Sequence, residues 1–156
     1  MFQKKKYDLQ QAKTKIMKYC AIQERSHFEV ELKLKEWGVD PSHRGDLSAF
    51  LIENNFLNEE RFARAYVRGK FRMKKWGRRK IQTGLIHKRI SDFCQREGFK
   101  EIDEVEYRET LIGLVKKKVE NYSELRGLKL RSKIHDYLIT KGYENELINE
   151  VIRDIC

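Results

Sequence analysis

The segment SKIHDYLITKGY, Ser132 to Tyr143, decides the fold of this chain, because two other segments repeat its pattern. Ile134 is followed by an apolar residue four positions later, Leu138, and by another five positions after that, Tyr143. A spacing of four places the first two residues on one face of a helix. Gly142 lies where this helix should end, because glycine readily adopts the left-handed conformation of a helix C-terminus.

The same pattern occurs in FEVELKLKEWGV (28–39) and in RKIQTGLIHKRI (79–90). The three segments are 51 and 53 residues apart, a period in the range of repeat architectures. A helical pattern precedes each segment and another follows the first and the last. The residues of these flanking patterns are Ala12, Ile16, Tyr19, Leu47, Phe50, Leu51, Phe62, Tyr66, Val115, Val119, Ile148, Val151, Ile152 and Ile155.

These patterns predict an all-α fold, an elongated and curved array of three tandem three-helix repeats. We place the repeats at 1–57, 58–104 and 105–156. A unit of about fifty residues buries too little apolar surface to be stable alone, so neighbouring repeats should pack together. A compact nine-helix bundle with accidental internal similarity is the alternative. The pattern is weakest in SDFCQREGFKEIDE (91–104), so the path of the chain over 89–104 is left open.

The net charge of +10 is concentrated in the middle of the chain. Residues 58–100 hold fourteen Lys and Arg against four Asp and Glu. Residues 1–57 and 101–156 are nearly balanced, with ten basic against eight and twelve acidic side chains. A field of this kind attracts polyanions or an acidic protein surface.

The stretch RFARAYVRGKFRMKKWGRRK (61–80) contains ten Lys or Arg and no acid. It predicts a helix that Asn58 caps and that Trp76 and Gly77 close. An aromatic stripe should face the core rather than stack on bases. Phe71 falls opposite this stripe and would either pack on a neighbouring repeat or form an exposed contact. The aromatic stripe consists of Phe62, Tyr66, Gly69, Met73 and Trp76.

A basic stripe on the same helix consists of Arg61, Arg64, Arg68, Arg72 and Lys75. Like charges four residues apart destabilise a helix, and after Glu60 no acid on the same helix face offsets them. Arg78, Arg79 and Lys80 then open the next helix, where cations oppose the helix dipole. We therefore predict an anionic partner, with a merely solvated surface as the alternative. The candidate binding residues are Arg61, Arg64, Arg68, Arg72, Lys74, Lys75, Arg78, Arg79 and Lys80.

Motifs for catalysis, cofactors or metals are not found in the sequence. It has no phosphate-binding glycine loop, no GxSxG and no HExxH. Cys20, Cys94 and Cys156 lack zinc-site spacing, which favours reduced thiols. No apolar run approaches the roughly 20 residues that span a bilayer, and the first residues do not resemble a signal peptide. We expect a cytoplasmic binding protein, not an enzyme, with no cofactor, no metal and no membrane contact.

The segment FLNEERFARAYVRGKFRMKKWGRRKIQTGL (56–85) resembles the signature of the RecX regulatory proteins. LKEWGV (34–39) and LITKGY (138–143) are similar to a turn that recurs in this family. Two positions depart from the family pattern: Arg78 stands where proline is common, and Arg89 where glycine is usual. The matching positions are Phe56, Leu57, Asn58, Glu59, Arg61, Phe62, Ala63, Tyr66, Val67, Arg68, Gly77, Ile81 and Leu85.

The resemblance implies a small cytoplasmic regulator of the RecA recombinase, acting in DNA recombination, DNA repair and the SOS response. Such proteins bind RecA filaments on single-stranded DNA, lie in the filament groove, and restrain strand exchange, ATP hydrolysis and coprotease function. We expect a monomer whose basic face contacts acids of RecA or the phosphates of the filament DNA. The alternative is a stand-alone DNA-binding helical module acting through the basic 61–80 helix.

Overall fold

The structure, a computed structural model, describes residues 6–156, and over this range it is all-α, with nine helices and no strand. The prediction of an all-α fold built from successive groups of three helices is confirmed. The helices are α1 Leu9–Ile22, α2 His27–Glu36, α3 Pro41–Glu53, α4 Glu59–Lys74, α5 Arg78–His87, α6 Asp92–Phe99, α7 Glu104–Asn121, α8 Gly127–Lys141 and α9 Asn145–Ile155.

The helices pack in two compact units. The first unit extends from the start of the described range to Ala65 and includes Leu85–Gly98, and within it α1, α2 and α3 contact one another. The second consists of Tyr66–Gly84 and Phe99–Cys156, and within it α7, α8 and α9 contact one another. Helices α4 and α5 contribute to both units. The repeat boundaries at 57 and 104 stay predictions.

The three repeated segments form the same structure, as their pattern predicts. Each segment is a short helix followed by one left-handed residue. The last apolar residue of each segment donates its N–H to the carbonyl five positions earlier, so that Tyr143 bonds to Leu138 at 3.1 Å. This is the Schellman ending of a helix, and it turns that apolar residue back into the core. The buried residues of the three segments are Val30, Leu34, Val39, Ile81, Leu85, Ile90, Ile134, Leu138 and Tyr143.

Arg89 takes the place of the expected glycine without changing this ending. Its φ of 59° lies in the left-handed region, as do those of Gly38 and Gly142 in the other two segments. Its N–H donates to the carbonyl of Ile86 at 2.9 Å, and its guanidinium lies 4.3 Å from the centre of the Phe28 ring. The helix therefore stops where the pattern predicts, and α6 follows it.

Helix α4 begins as predicted, because the Asn58 side chain accepts the Arg61 N–H at 2.8 Å. Its buried face, however, differs from the aromatic stripe that we predicted. Phe62 is buried, but Met73 is 83% exposed, so its assignment to the core was wrong. Tyr66 and Trp76 are half-buried.

The buried stripe of α4 runs instead through Ala63, Val67 and Phe71, at intervals of four residues. Phe71 packs on Tyr107 of α7, with 5.7 Å between ring centres, so it is a packing residue and not an exposed contact. Helix α4 also ends at Lys74, two residues before Trp76. Lys75 has a φ of 57°, and this left-handed residue stops the helix early.

No helix within residues 6–156 is long and apolar enough to cross a membrane.

Candidate functional site

The structure divides the nine predicted binding residues into arginines that are paired within the chain and a second group without such pairing. Arg61 donates to Glu24 at 2.6 Å, and Arg68 lies 3.4 Å from Glu101. Arg64 pairs with both Glu60 and Glu97, at 3.1 and 2.9 Å. Glu24, Glu97 and Glu101 lie outside α4. The residue spacing within α4 therefore could not predict the pairs that these three acids form.

Arg78 is also paired within the chain. Its guanidinium bonds to Glu144 at 2.8 Å and to Glu104, and it lies 3.9 Å from the centre of the Tyr107 ring. Tyr107 accepts the Arg78 N–H at 3.0 Å and donates its hydroxyl to Glu144. The charge of Arg78 is therefore balanced within the chain.

The acids of this network change the pKa values of their neighbours. Burial works to lower the pKa of Arg78, but its hydrogen bonds to Glu104 and Glu144 outweigh that effect and raise it. Burial raises the pKa of Tyr107, and its hydrogen bond to Glu144 raises it further. Both shifts favour the protonated form, so at neutral pH Arg78 is charged and the Tyr107 hydroxyl keeps its proton.

The second group consists of Arg72, Lys74, Lys75, Arg79 and Lys80. The first four are exposed, and within residues 6–156 no ion pair with a carboxylate involves them. Lys80 is half-buried, with its ammonium 4.6 Å from the centre of the Trp76 ring. These five side chains are the part of the predicted site that is available to a partner.

The end of α8 holds the α4–α5 loop, and so these basic residues, in place. The Gly77 N–H donates to the Lys141 carbonyl at 2.8 Å, and the Arg79 N–H to the Gly142 carbonyl at 2.9 Å. The N–H groups of Gly77 and Arg79 are therefore satisfied within the chain and are not available to an anion.

Two side chains bind the other side of the same loop. The ammonium of Lys141 donates to the Lys74 carbonyl, and the Tyr143 hydroxyl donates to the Lys75 carbonyl, both at 2.8 Å. These carbonyls belong to the C-terminal end of α4, where a cation is favourable. Four hydrogen bonds thus fix the α4–α5 loop, and in each of them the partner lies in α8 or in its C-terminal turn.

Five lysines form what we call the lysine cluster: Lys74, Lys75, Lys80, Lys118 and Lys141. Burial lowers the pKa of Lys141, and the positive charges of the other four lower it further. The charged neighbours with the largest effects on this pKa are thus all lysines. Such a concentration of like charge is unfavourable by itself, and an anionic partner would relieve it.

Sequence reasoning missed Lys118 and Lys141. Both lie in the segment 101–156, where acids slightly outnumber bases, so charge counting gave no signal there. Only the contact of α8 with the α4–α5 loop brings Lys141 to the basic stretch. A partial signal was available, because Lys141 directly precedes Gly142 at a predicted helix end.

Apolar side chains lie within this basic surface. Met73, next to Arg72 and Lys74 in the chain, is 83% exposed. Trp76 is half-buried, with the Lys70 ammonium 4.9 Å from its ring centre. Exposed large apolar groups within a charged surface are typical of protein–protein contacts.

Neither metal-binding clusters nor reactive thiols are part of this surface. No group of three His, Cys, Asp or Glu within residues 6–156 could hold a metal ion. Cys20 and Cys94 are buried, and burial raises the pKa of the Cys20 thiol to about 11.

Two family models match consecutive parts of the chain. The model described as RecX, second three-helix domain, matches residues 58–97, which include α4, α5 and most of α6. The model described as RecX, third three-helix domain, matches residues 104–152. Together they match more than half of the chain.

Curated relatives that match most of this chain are also named RecX. The regulatory protein RecX of Clostridium perfringens (strain 13 / Type A) is 32% identical over 127 residues, which are 80% of this chain and 59% of that protein. The regulatory protein RecX of Bacillus mycoides (strain KBAB4) is 23% identical over 148 residues, which are 95% of this chain and 55% of that protein. The chain thus spans little more than half the length of these relatives.

Solved structures show the same fold. A crystal structure of RecX from Lactobacillus salivarius matches with a TM-score of 0.83 and 24% identity, covering 94% of this chain and 96% of that one. A second RecX crystal structure matches with the same TM-score and 19% identity, over 93% of this chain and 71% of that one. On the family models, the relatives and the shared three-helix repeats, this chain belongs to the RecX family.

Proposed function

We propose that this chain binds RecA and its single-stranded-DNA filament and inhibits the recombinase, ATPase and coprotease activities of RecA. Membership in a family of regulatory proteins supports regulation as the general role. The observation that carries the contact is the lysine cluster. It holds positive charge that no ion pair within residues 6–156 neutralises, and Lys74 and Lys75 lie at a loop that four hydrogen bonds fix.

The contact surface that we propose is narrower than the nine residues predicted from the sequence. Arg72, Lys74, Lys75, Arg79 and Lys80 contact the partner, together with Lys118 and Lys141. The four arginines with acidic partners, Arg61, Arg64, Arg68 and Arg78, mainly position the helices.

The exposed apolar groups favour protein as part of the partner surface. Phosphates would satisfy the lysines but would leave the exposed Met73 without an apolar contact. An acidic RecA surface with an apolar pocket would satisfy both, and methionine and aromatic residues are enriched at such interfaces. The lysine cluster also fits DNA phosphate, which is why a stand-alone DNA-binding module stays the second candidate.

A binding measurement separates these two candidates. RecA filaments assembled on immobilised single-stranded DNA with a non-hydrolysable ATP analogue are compared with the same DNA alone, by biolayer interferometry. The proposed function predicts at least about tenfold tighter binding to the filament, equivalent to 1.4 kcal/mol or more. Equal affinities for the filament and the bare strand, with a steep loss in salt, would instead establish the DNA-binding module.

A further inference from the structure

Lys118 connects the lysine cluster with two tyrosines that the proposed contact does not use. Its ammonium lies 3.9 Å from the centre of the Tyr137 ring and 5.5 Å from that of Tyr122. The ammonium of Lys133, a residue of α8, lies 5.2 Å from the centre of the Tyr122 ring. Two aromatic rings thus lie among lysines at the end of α7 and along α8.

These rings line a shallow open groove of about 720 Å³ on the second unit. Two lysines, Lys129 and Lys133, line it against one acid, Asp136, and Lys118 adds a further positive charge at the Tyr137 ring. Leu128, another lining residue, is 81% exposed. The groove therefore combines apolar and aromatic side chains with an excess of positive charge.

Neither tyrosine is among the buried residues of the described chain. Helix α8 buries Ile134 and Leu138, whereas Tyr137 is half-buried and turned toward the groove residues. Burial raises the pKa of Tyr137, and the nearby Tyr122 phenol raises it further, which is consistent with two adjacent rings. Aromatic rings kept at a surface in this way are available for stacking.

We propose that this groove binds single-stranded DNA, with bases stacked on Tyr122 and Tyr137 and phosphates beside Lys118, Lys129 and Lys133. Aromatic platforms flanked by cations bind single strands in this way, because every base has a face that can stack. A duplex does not fit this chemistry, since its bases are already stacked on one another. The inference deepens the proposed function, on which it rests for the choice of DNA.

Charge and continuity favour this occupant over an acidic protein segment. Lys118 belongs to the lysine cluster and contacts the ring of Tyr137, which lines the groove, so positive charge extends from the cluster to the groove. Flat half-buried rings between cations match the alternation of base and phosphate along a strand.

The test uses the full chain without RecA. Fluorescence anisotropy compares a labelled oligothymidylate of about 15 nucleotides with an abasic oligomer of the same length, at about 50 mM salt. Both oligomers carry the same phosphates, so their difference in affinity measures stacking. The variants are Tyr122→Leu/Tyr137→Leu, which removes the rings, and Tyr122→Phe/Tyr137→Phe, which keeps them.

We expect the unchanged protein and the Phe variant to bind the oligothymidylate about tenfold more tightly than the abasic oligomer. In the Leu variant the difference should fall to about twofold or less, with the abasic affinity unchanged. Lys74→Gln/Lys75→Gln should weaken the binding of both oligomers to a similar extent.

Three results would overturn the proposal: equal affinity of the unchanged protein for both oligomers, no binding of either, or identical preferences of the Leu and Phe variants. A Leu variant that binds DNA normally but fails to inhibit RecA would also overturn it, because the groove would then take protein. Failure of the proposed function is distinguishable, since it would abolish RecA inhibition without changing a measurement made in the absence of RecA.

Discussion

Gly77 and Gly142 approach so closely that neither leaves room for a side chain. A Cβ on Gly77 would overlap the carbonyl group of Gly142, and one on Gly142 would overlap Lys80. Gly142 also has a φ of 99°, which disfavours other residues. This contact between backbones fixes the α4–α5 loop on the end of α8 and brings Lys141 to the other lysines.

Gly77→Ala should therefore destabilise the protein by about 3 kcal/mol, because the new methyl group meets backbone that cannot move aside. Urea unfolding followed by circular dichroism measures the change. Gly69→Ala is the control: it also lies in this basic segment, but a Cβ there meets nothing within 4 Å. Since alanine favours a helix, this control should stabilise by about 0.5–1 kcal/mol. Equal effects of the two substitutions would contradict the close approach.

The repeats could be predicted because their signal is local. Each triplet describes one helix and its ending. Its first two apolar residues lie four apart on one helix face, and the third follows the left-handed residue that ends the helix. Ile81, Leu85 and Ile90 follow this rule and are buried as expected. Even the missing glycine at position 89 did not matter, because the hydrogen bonds of the ending hold Arg89 in the left-handed region.

The buried face of α4 and the free part of its basic surface could not be predicted, because both depend on other helices. Met73 continues the regular spacing of the aromatic stripe. The buried side of α4 is instead the stripe that contains Phe71, which packs on Tyr107 of α7. In the same way, Arg68 looked unpaired until the fold brought Glu101 to it. Charge counting located the basic segment but not which of its side chains the chain itself neutralises.

Arg78 and Arg79 are adjacent in the sequence but should respond differently to substitution. Arg78→Ala leaves Glu144 and Glu104 without their cation, which should cost about 2 kcal/mol of stability. Arg79→Ala should change stability by less than about 0.5 kcal/mol, since its exposed side chain holds no ion pair within residues 6–156. At temperatures where both variants are folded, Arg79→Ala should weaken the inhibition of RecA more than Arg78→Ala does. A destabilised Arg79→Ala protein would mean that this side chain is structural.

Substitutions at Arg89 test the left-handed helix ending. Arg89→Gly relieves the backbone strain but loses the contact with Phe28, so the two effects should cancel to within about 0.5 kcal/mol. Arg89→Val keeps the strain, adds a β-branched side chain and loses the ring contact, and should cost about 2 kcal/mol. Thermal unfolding gives the order. A valine variant as stable as the glycine variant would contradict the left-handed assignment.

The three cysteines should differ in reactivity. Cys20 and Cys94 are each 8% exposed, and burial raises the pKa of both thiols, whereas Cys156 is half-buried at the end of the chain. A disulfide reagent at pH 8 should therefore modify one thiol rapidly in the folded protein and three in denaturant, because the thiolate is the reactive form. Cys156→Ser, the matched variant, should abolish the rapid phase. Persistence of that phase would mean that the core opens easily.

The same shift predicts a loss of stability in alkali. The pKa of Cys20 is raised from 9.0 to about 11 in the folded protein. Between these values the unfolded chain loses its proton first, so stability falls as the pH rises through this window. Cys20→Ala should make unfolding less dependent on pH over the same range.

The most direct test of the account is the rate of ATP hydrolysis by the cognate RecA on single-stranded DNA, titrated with this protein and two double variants. Arg72→Glu/Lys75→Glu reverses charge on the proposed contact surface. Lys18→Glu/Lys35→Glu makes the same charge change on exposed positions of α1 and α2. We predict inhibition by the unchanged protein and by the α1–α2 variant at amounts well below those that coat the DNA, and its loss in the Arg72/Lys75 variant with helical content intact. Equal inhibition by all three proteins, or none until the DNA is coated, would contradict regulation of RecA through the proposed contact surface.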